Sequence, residues 1–155
     1  MMRIGYGFDS HEFKSGVPCI IGGVLLEHDA GLAGHSDGDV LLHALTDALL
    51  GAIAAGDIGS FFPPSDPQWK GADSRVFVAH ALEKVRERGF AISNVDSTLV
   101  LLRPKIGPVA GQLQQSVADI LEIGTGQVSI KAKTPEGLGL DNTAVAHVVV
   151  LLEKR

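Results

Sequence analysis

"SDGDVLLHALTDALLGAIAA" (residues 36–55) is the stretch from which the fold of this chain can be worked out. It is rich in Ala and Leu and therefore predicts a helix, which Ser36 or Asp37 can cap. Three ionisable side chains recur at intervals of four residues and form one polar stripe on this apolar helix: Asp39, His43 and Asp47. Burying them without partners is costly, so the stripe is either a solvated face or part of a site.

The rest of the chain predicts an element order of β-β-α-α-β-α-β-β, which is typical of an α+β fold. We expect a two-layer sandwich in which helices cover one face of a mixed sheet. The uncovered sheet face needs a partner, and the apolar run "VVVLL" indicates that both faces of the last strand are buried. We therefore expect a homo-oligomer. The predicted segments outside the central helix are an opening strand that ends near Asp9, a strand at 19–27 interrupted by two glycines, a long loop at 56–74, helices at 73–89 and 109–124, and strands at 91–102, 127–134 and 143–154.

Length and composition indicate one soluble domain spanning residues 1–155. The formal charge of −5 gives no general attraction to nucleic acid or to an anionic membrane. The single cysteine, Cys19, excludes an internal disulfide. The first residues lack the apolar core of a signal peptide, and the longest apolar run, at 144–152, is too short to span a bilayer. We therefore expect a cytoplasmic protein.

A candidate metal site begins in "GYGFDSHEF" (residues 5–13). The alternation of a strand directs Asp9 and His11 to the same side, so both can reach one ion. With His43 they make a set of one carboxylate and two imidazoles, and three such ligands with one open position are typical of catalytic zinc. From spacing alone, a polar strand end remains an equally open interpretation.

Two further segments carry polar groups suited to phosphates. At the helix start, "GHSDGD" (34–39) offers free N–H groups and the donors His35 and Ser36 to an anion, although Asp37 and Asp39 oppose one unless a metal offsets them. The alternative is a simple helix cap.

In "KAKTPEGLG" (131–139), Thr134 and Glu136 beside a glycine-rich turn can hold a phosphate and a hard divalent cation, or form an ordinary turn. The loops "GDIGSFFPPSD" (56–66) and "RPKIG" (103–107) offer backbone groups and the carboxylates of Asp57 and Asp66. Such groups can recognise a ribose and a base through hydrogen bonds.

Taken together, these segments resemble the 2-C-methyl-D-erythritol 2,4-cyclodiphosphate synthase family in their order and spacing, from residue 3 to about residue 140. The resemblance implies that three residues ligate zinc: Asp9, His11 and His43. It also implies that His35 and Thr134 stabilise the transition state, and that Glu136 helps to bind magnesium or manganese. The chain departs from the family at Leu140 and Thr143, where an aromatic residue and an arginine are common.

The resemblance also implies a substrate site for a cytidine diphosphate compound. His35 and Ser36 are expected at its diphosphate. The other implied substrate-binding residues are Asp9, Ser10 and His11 beside the zinc; Asp57, Ile58 and Gly59 at the ribose or erythritol; Phe62, Pro63, Pro64, Ser65 and Asp66 in a flexible loop; Leu101, Leu102, Arg103, Pro104, Lys105, Ile106 and Gly107 at the cytosine; and Lys133, Thr134, Pro135 and Glu136 at the nucleotide phosphates.

The implied activity is that of a phosphorus–oxygen lyase of the non-mevalonate isoprenoid pathway. It closes 4-diphosphocytidyl-2-C-methyl-D-erythritol 2-phosphate into 2-C-methyl-D-erythritol 2,4-cyclodiphosphate and releases CMP. The family is a homotrimer with active sites between subunits. Two other classes remain open: a zinc-dependent phosphoester hydrolase, which gives no reason for the "RPKIG" segment, and a trimeric binding protein with an incidental metal.

Overall fold

A computed structural model describes all 155 residues and contains a five-stranded mixed sheet. Across the sheet the strand order is β4-β1-β7-β5-β6. Only β5 and β6 are parallel; the other neighbours are antiparallel. A separate hairpin consists of β2 and β3. The strands are β1 (Met2–Ser15), β2 (Cys19–Ile21), β3 (Val24–Leu26), β4 (Ala30–Leu32), β5 (Phe90–Val100), β6 (Val128–Lys133) and β7 (Thr143–Lys154).

Helices cover one face of the sheet and enclose the core against it. The predicted α+β sandwich with helices on one face of a mixed sheet is therefore confirmed. No helix is long and apolar enough to cross a membrane. The helices are α1 (Val40–Ala52), α2 (Ile58–Phe61), α3 (Arg75–Glu87) and α4 (Ala110–Leu121), with single 3₁₀ turns at Pro67–Trp69, Gly107–Val109 and Thr125–Gln127.

Strand β1 lies directly against α1 because two of its inward positions are glycines. A Cβ atom on Gly7 would lie 1.8 Å from the carbonyl oxygen of Ala44, and one on Gly5 would lie 1.8 Å from that of Ala48. No side chain can occupy these positions without displacing the helix. This close approach brings the first turn of α1 to the inward side chains that follow on β1.

Several predicted boundaries are wrong, each for a local reason. Strand β1 continues to Ser15, so Asp9 lies in mid-strand and not at a strand end. The predicted strand at 19–27 is a hairpin, because Gly22 and Gly23 both adopt positive φ and turn the chain. The cap of α1 is neither Ser36 nor Asp37, since the Asp39 carboxylate accepts the N–H of Leu42.

The expectation that both faces of the last strand are buried does not hold within one chain. Val148 and Val150 are fully buried beneath the helices, whereas Val149 is 43% exposed on the opposite face. Strand β1 continues the same open surface, which is apolar although it faces solvent in the single chain. We call it the open sheet face; its most exposed apolar residues are Met2, Ile4, Tyr6, Phe8 and Val149.

Candidate active site

Three side chains from β1 and α1 converge at the end of the glycine-mediated contact. Asp9 and His11 occupy alternate positions of β1, and His43 lies in the first turn of α1. The Asp9 Oδ2 atom lies 2.7 Å from His11 Nε2 and 3.1 Å from His43 Nδ1. The two imidazole nitrogens are 3.1 Å apart. The structure thus brings together the three residues that the sequence analysis grouped, and we call them the triad.

Neighbouring groups orient both imidazoles. His11 Nδ1 donates to the carbonyl oxygen of Ala33 at 2.8 Å, and a carbonyl oxygen can only accept, so the other ring nitrogen faces the triad. His43 Nε2 lies 2.9 Å from the hydroxyl oxygen of Ser36 and 2.8 Å from that of Ser74, so its Nδ1 faces the triad.

The electrostatics of the triad favour an anionic carboxylate beside a cationic imidazole. Burial of Asp9 opposes its ionisation, but the hydrogen bonds from His11 and His43 outweigh burial and lower the pKa of Asp9 to about 2. For His11, burial likewise opposes the charged form, yet the hydrogen bond to Asp9 raises its pKa above the ordinary value. A cation bound at this carboxylate replaces the proton that His11 otherwise holds.

The donor atoms of the triad fit a tetrahedral metal ion. All three lie within 4.8 Å of one another and can each offer one ligand atom. A tetrahedral zinc site with bonds of about 2.0 Å has edges of about 3.3 Å, a few tenths of an ångström longer than the separations here. Nitrogen and carboxylate ligands are also the chemistry that zinc prefers. Three protein ligands leave a fourth position open.

A pocket opens directly over the triad and has one polar and one apolar wall. His35 and Ser36 lie on the polar side, next to His11 and His43. The loop after α1 and the start of α3 supply the rest of the lining: Ile58, Gly59, Phe62, Pro64, Trp69 and Phe77. Four of the predicted substrate-binding segments or residues therefore meet at one place, whereas the aromatic lining from Trp69 and Phe77 was not predicted.

The loop between α1 and α3 is structured by carboxylates that the sequence analysis assigned to substrate. Asp57 caps α2, since its side chain accepts the N–H of Ser60 at 2.9 Å. Asp66 accepts the N–H of Gln68 at 3.0 Å, and its carbonyl oxygen lies 3.1 Å from His35 Nε2. In this structure these two carboxylates hold the loop in shape beside the pocket.

The start of α1 contains a carboxylate, that of Asp39, which is turned inward and does not line the pocket. Asp39 is fully buried, and its carboxylate accepts N–H groups from Leu42, Gly22 and Gly23 at 2.7–3.0 Å. Among the first-turn amides, that of Leu42 is therefore capped by this carboxylate. The polar stripe expected on α1 is likewise not a solvated face, because Asp47 accepts the N–H of Ile58 at 2.7 Å.

Other predicted substrate residues lie away from the pocket. Ser10 is exposed and faces away from α1, opposite to its neighbours in the triad. The segments 101–107 and 133–136 follow β5 and β6, and none of their residues lines the pocket. Ser10 pairs with Val145, which pairs with Val100, which pairs with Lys133. Strand spacings are about 4.8 Å, so segment 101–107 lies two spacings and segment 133–136 three spacings from β1. Within one chain the two halves of the predicted substrate site do not meet.

Among the distant residues, Thr134 and Glu136 do contact each other. The Thr134 hydroxyl donates to a Glu136 carboxylate oxygen at 2.6 Å, and both side chains are exposed. Glu136 has a φ of 51°, an unusual conformation for a residue other than glycine. The turn therefore presents both groups to solvent at the far edge of the sheet.

Sequence reasoning missed two kinds of residue at this site. One is Ser74, because nothing local in the sequence shows that it reaches His43. The aromatic lining left a usable signal: four of the chain's eight Phe, Tyr and Trp residues fall between positions 61 and 77. Such a concentration of aromatic residues indicates that the loop forms one side of a pocket and is not a simple linker.

Fold and site together define an α+β protein with a candidate mononuclear metal centre beneath a mixed polar and apolar pocket. A family model for the YgbB family matches residues 2–153, and the chain belongs to this family. The implied relationship to the 2-C-methyl-D-erythritol 2,4-cyclodiphosphate synthases is thereby confirmed.

Individual relatives match this chain over all or nearly all of its length. The chain is 64% identical to the 2-C-methyl-D-erythritol 2,4-cyclodiphosphate synthase of Koribacter versatilis, with all of both chains covered. It is 50% identical to the synthase of Aquifex aeolicus, covering 99% of this chain and 98% of that one. A solved structure of the CDP-bound form of such a synthase has a TM-score of 0.92 and 42% identity, covering 97% of this chain and 100% of that one.

Proposed function

We propose that this chain converts 4-diphosphocytidyl-2-C-methyl-D-erythritol 2-phosphate into 2-C-methyl-D-erythritol 2,4-cyclodiphosphate and CMP, as a phosphorus–oxygen lyase of the non-mevalonate isoprenoid pathway. The observation that carries the proposal is the triad beneath a pocket with His35 and Ser36, in a chain of this family. Residues 1–155 act as a single cyclodiphosphate synthase domain of the cytoplasm.

In this reaction the 2-phosphate of the substrate attacks the β-phosphorus and CMP leaves. Asp9, His11 and His43 would hold zinc, and Glu136 would help to hold magnesium or manganese. When bound, these cations supply positive charge to the phosphate oxygens during transfer.

The chain's own residues bind and align the substrate. His35 and Ser36 lie where they can donate to a phosphate above the triad. Phe62 and Phe77 exclude water from the other side of the pocket. No general base is required, because the attacking phosphate is already ionised near neutral pH. Holding the substrate in a folded conformation lowers the activation free energy further, by up to about 7–11 kcal/mol in well-aligned systems.

The distant half of the substrate site supports an assembly with active sites between subunits. Segment 101–107 would hold the cytosine, and Lys133, Thr134 and Glu136 the nucleotide phosphates, of a substrate bound at a neighbouring chain's triad. The open sheet face supplies an apolar surface for such contacts. We therefore propose a homotrimer.

The test is incubation of the zinc-loaded protein with the diphosphocytidyl substrate, with CMP and the cyclic diphosphate detected together. We expect equal amounts of both products. A linear phosphate product contradicts the synthase and supports a hydrolase. His43→Ala is expected to abolish turnover in a folded protein, and unchanged CMP release from that variant contradicts a role for the triad.

A further inference from the structure

Two polar groups line up behind His43, on the side away from the triad. The hydroxyl oxygen of Ser74 lies 2.8 Å from His43 Nε2 and is also hydrogen bonded to a carboxylate oxygen of Asp37. Ser74 is fully buried. It occupies the N-cap position of α3, yet its side chain makes no capping bond to the helix. Because the hydroxyl is not used as a cap, its function lies in the contacts with Asp37 and His43.

The direction of the hydrogen bonds in this chain can be worked out by counting protons. Asp37 Oδ1 faces the N–H of Asp39 at 3.1 Å, and Oδ2 faces the N–H of Ser74 at 2.9 Å. A backbone N–H can only donate, so both carboxylate oxygens are acceptors. The Ser74 hydroxyl therefore donates its one hydrogen to Asp37. Only lone pairs of its oxygen are left to face His43 Nε2, which must then carry a hydrogen.

We propose that Asp37 and Ser74 are positioning residues that hold His43 as the Nε2–H tautomer, so that the lone pair of Nδ1 points at the metal position. The inference rests on the proposed metal centre and extends it to two residues outside the triad. Outer hydrogen-bond partners of this kind orient a ligand imidazole and raise its affinity for metal, typically by 10–100-fold.

The two imidazoles of the triad thus have different hydrogen-bond partners, but each presents a ring nitrogen to the metal position. His11 donates directly to a backbone carbonyl, that of Ala33. No such carbonyl is bonded to His43, and a hydroxyl alone does not fix a tautomer because it can donate or accept. Ser36 also lies 2.9 Å from His43 Nε2, but no carboxylate is bonded to its hydroxyl. Asp37 is what makes Ser74 an obligate acceptor.

The first test measures zinc affinity of the purified full chain by competition with a chromophoric chelator at neutral pH. Ser74→Ala is expected to lose tenfold or more in affinity. The matched control is Ser97→Ala, because Ser97 is 3% exposed and its hydroxyl donates to the Ser129 carbonyl oxygen, on a different part of the sheet. The control is expected to bind zinc like the wild type.

A second measurement reports the tautomer itself. In the metal-free wild type, ¹⁵N spectra of the His43 ring are expected to show a protonated Nε2. In Ser74→Ala and in Asp37→Asn the signals are expected to move towards a mixture of tautomers. Circular dichroism of both variants separates this effect from loss of folding.

The outcomes are distinguishable. If wild-type protein binds no zinc, the proposed function fails and this inference fails with it. If the wild type binds zinc and Ser74→Ala binds it equally well, or if Nε2 carries no proton in the wild type, the role of Asp37 and Ser74 is overturned while the metal centre stands.

Discussion

Asp9 is the residue on which the charge of the site depends, because its carboxylate is shared by two imidazoles. Despite the burial of both groups, hydrogen bonding lowers the pKa of Asp9 to about 2 and raises the pKa of His11 above its ordinary value. Without metal the pair is therefore a carboxylate and an imidazolium over a wide pH range. A metal ion must displace that proton, since only a neutral imidazole can be a ligand.

Zinc binding is accordingly expected to weaken as pH falls. Below the raised pKa of His11 the proton competes with zinc, so affinity drops by up to about tenfold per pH unit. Above that pKa the dependence should level off. Calorimetry in two buffers of different ionisation enthalpy counts the protons released on binding.

The control for this prediction is His28→Gln, which removes an imidazole paired only with Asp29, at 3.6 Å. It should leave the pH profile unchanged. Zinc binding with no proton release near pH 6 (roughly the ordinary pKa of histidine) contradicts the charge assignment.

At the scale of elements, the contact between β1 and α1 sets the distance between the triad residues. Two of the ligands lie on the strand and the third on the helix, and glycines allow the two backbones to touch. The core packs tightly around this contact, so the helix cannot move without loss of packing. The geometry of the metal site is thus a property of helix–strand packing.

Gly7→Ala is expected to damage both folding and metal binding. Its Cβ would lie 1.8 Å from the Ala44 carbonyl oxygen, so α1 must shift, at a cost of about 3 kcal/mol or more. Urea unfolding and zinc titration measure the two effects. Gly111→Ala is the matched control, because nothing lies within 4 Å of its added Cβ atom; equal stability in both variants rules out the close contact.

A second prediction at this scale concerns Asp39, the buried cap that joins α1 to the hairpin. Burial, partly offset by hydrogen bonds from Gly23, Leu42 and Gly22, raises the pKa of Asp39 to about 6. Its contribution to stability is therefore complete below pH 3.8, the unperturbed value, and is lost as pH rises through about 6.

The free energy of unfolding of the wild type relative to Asp39→Asn should consequently fall between pH 5 and pH 7.5 by about 1.5 kcal/mol, roughly half of the full effect. Urea unfolding of both proteins at the two pH values measures it. A difference that is constant with pH, or that grows, contradicts a raised pKa at this position.

The elements differ in how far the sequence could specify them. Strand β7 was predicted with its observed bounds, residues 143–154. The cap of α1 was wrong because the choice among Ser36, Asp37 and Asp39 depends on the β2–β3 hairpin, which is remote in sequence. The short helix α2 was missed because four residues carry no periodicity.

The candidate site, too, could be predicted from the sequence only in part. The triad could be predicted because each member carries metal-binding chemistry in its own side chain. The contact of Ser74 with His43 joins positions 31 residues apart and exists only once α3 packs beside α1. Serine in that position has an ordinary explanation as a cap, so no sequence pattern separates the two functions.

At the scale of the whole molecule, the single chain leaves an apolar surface exposed to solvent. The open sheet face exposes large apolar side chains, including Ile4 at 72% exposure, on the side opposite the helices. Contiguous apolar surface of this kind usually marks a protein interface. The separation of segments 101–107 and 133–136 from the triad agrees with an assembly in which chains complete each other's sites.

Ile4→Asp is expected to dissociate the proposed homotrimer, because a carboxylate buried in the open sheet face would lack a partner. Light scattering coupled to gel filtration should show a mass near that of the 16.2 kDa single chain, against three times that mass for the wild type. Activity should fall together with assembly.

Leu25→Asp provides the comparison for this variant. Leu25 is 70% exposed, similar to Ile4, but lies on the β2–β3 hairpin away from the sheet face. Its substitution should leave the mass unchanged. A monomeric wild type, or a trimer that survives Ile4→Asp, contradicts assembly through this face.

The loop between α1 and α3 is tied at both ends to the segment that carries His43. Asp47 holds the N–H of Ile58 at the start, and Asp37 holds the N–H of Ser74 at the end. These two anchors fix where the loop begins and ends, and neither uses a ligand atom of the triad. In the proposed synthase, product would leave past this loop without breaking either anchor or a contact of the triad, so one metal ion would serve many turnovers.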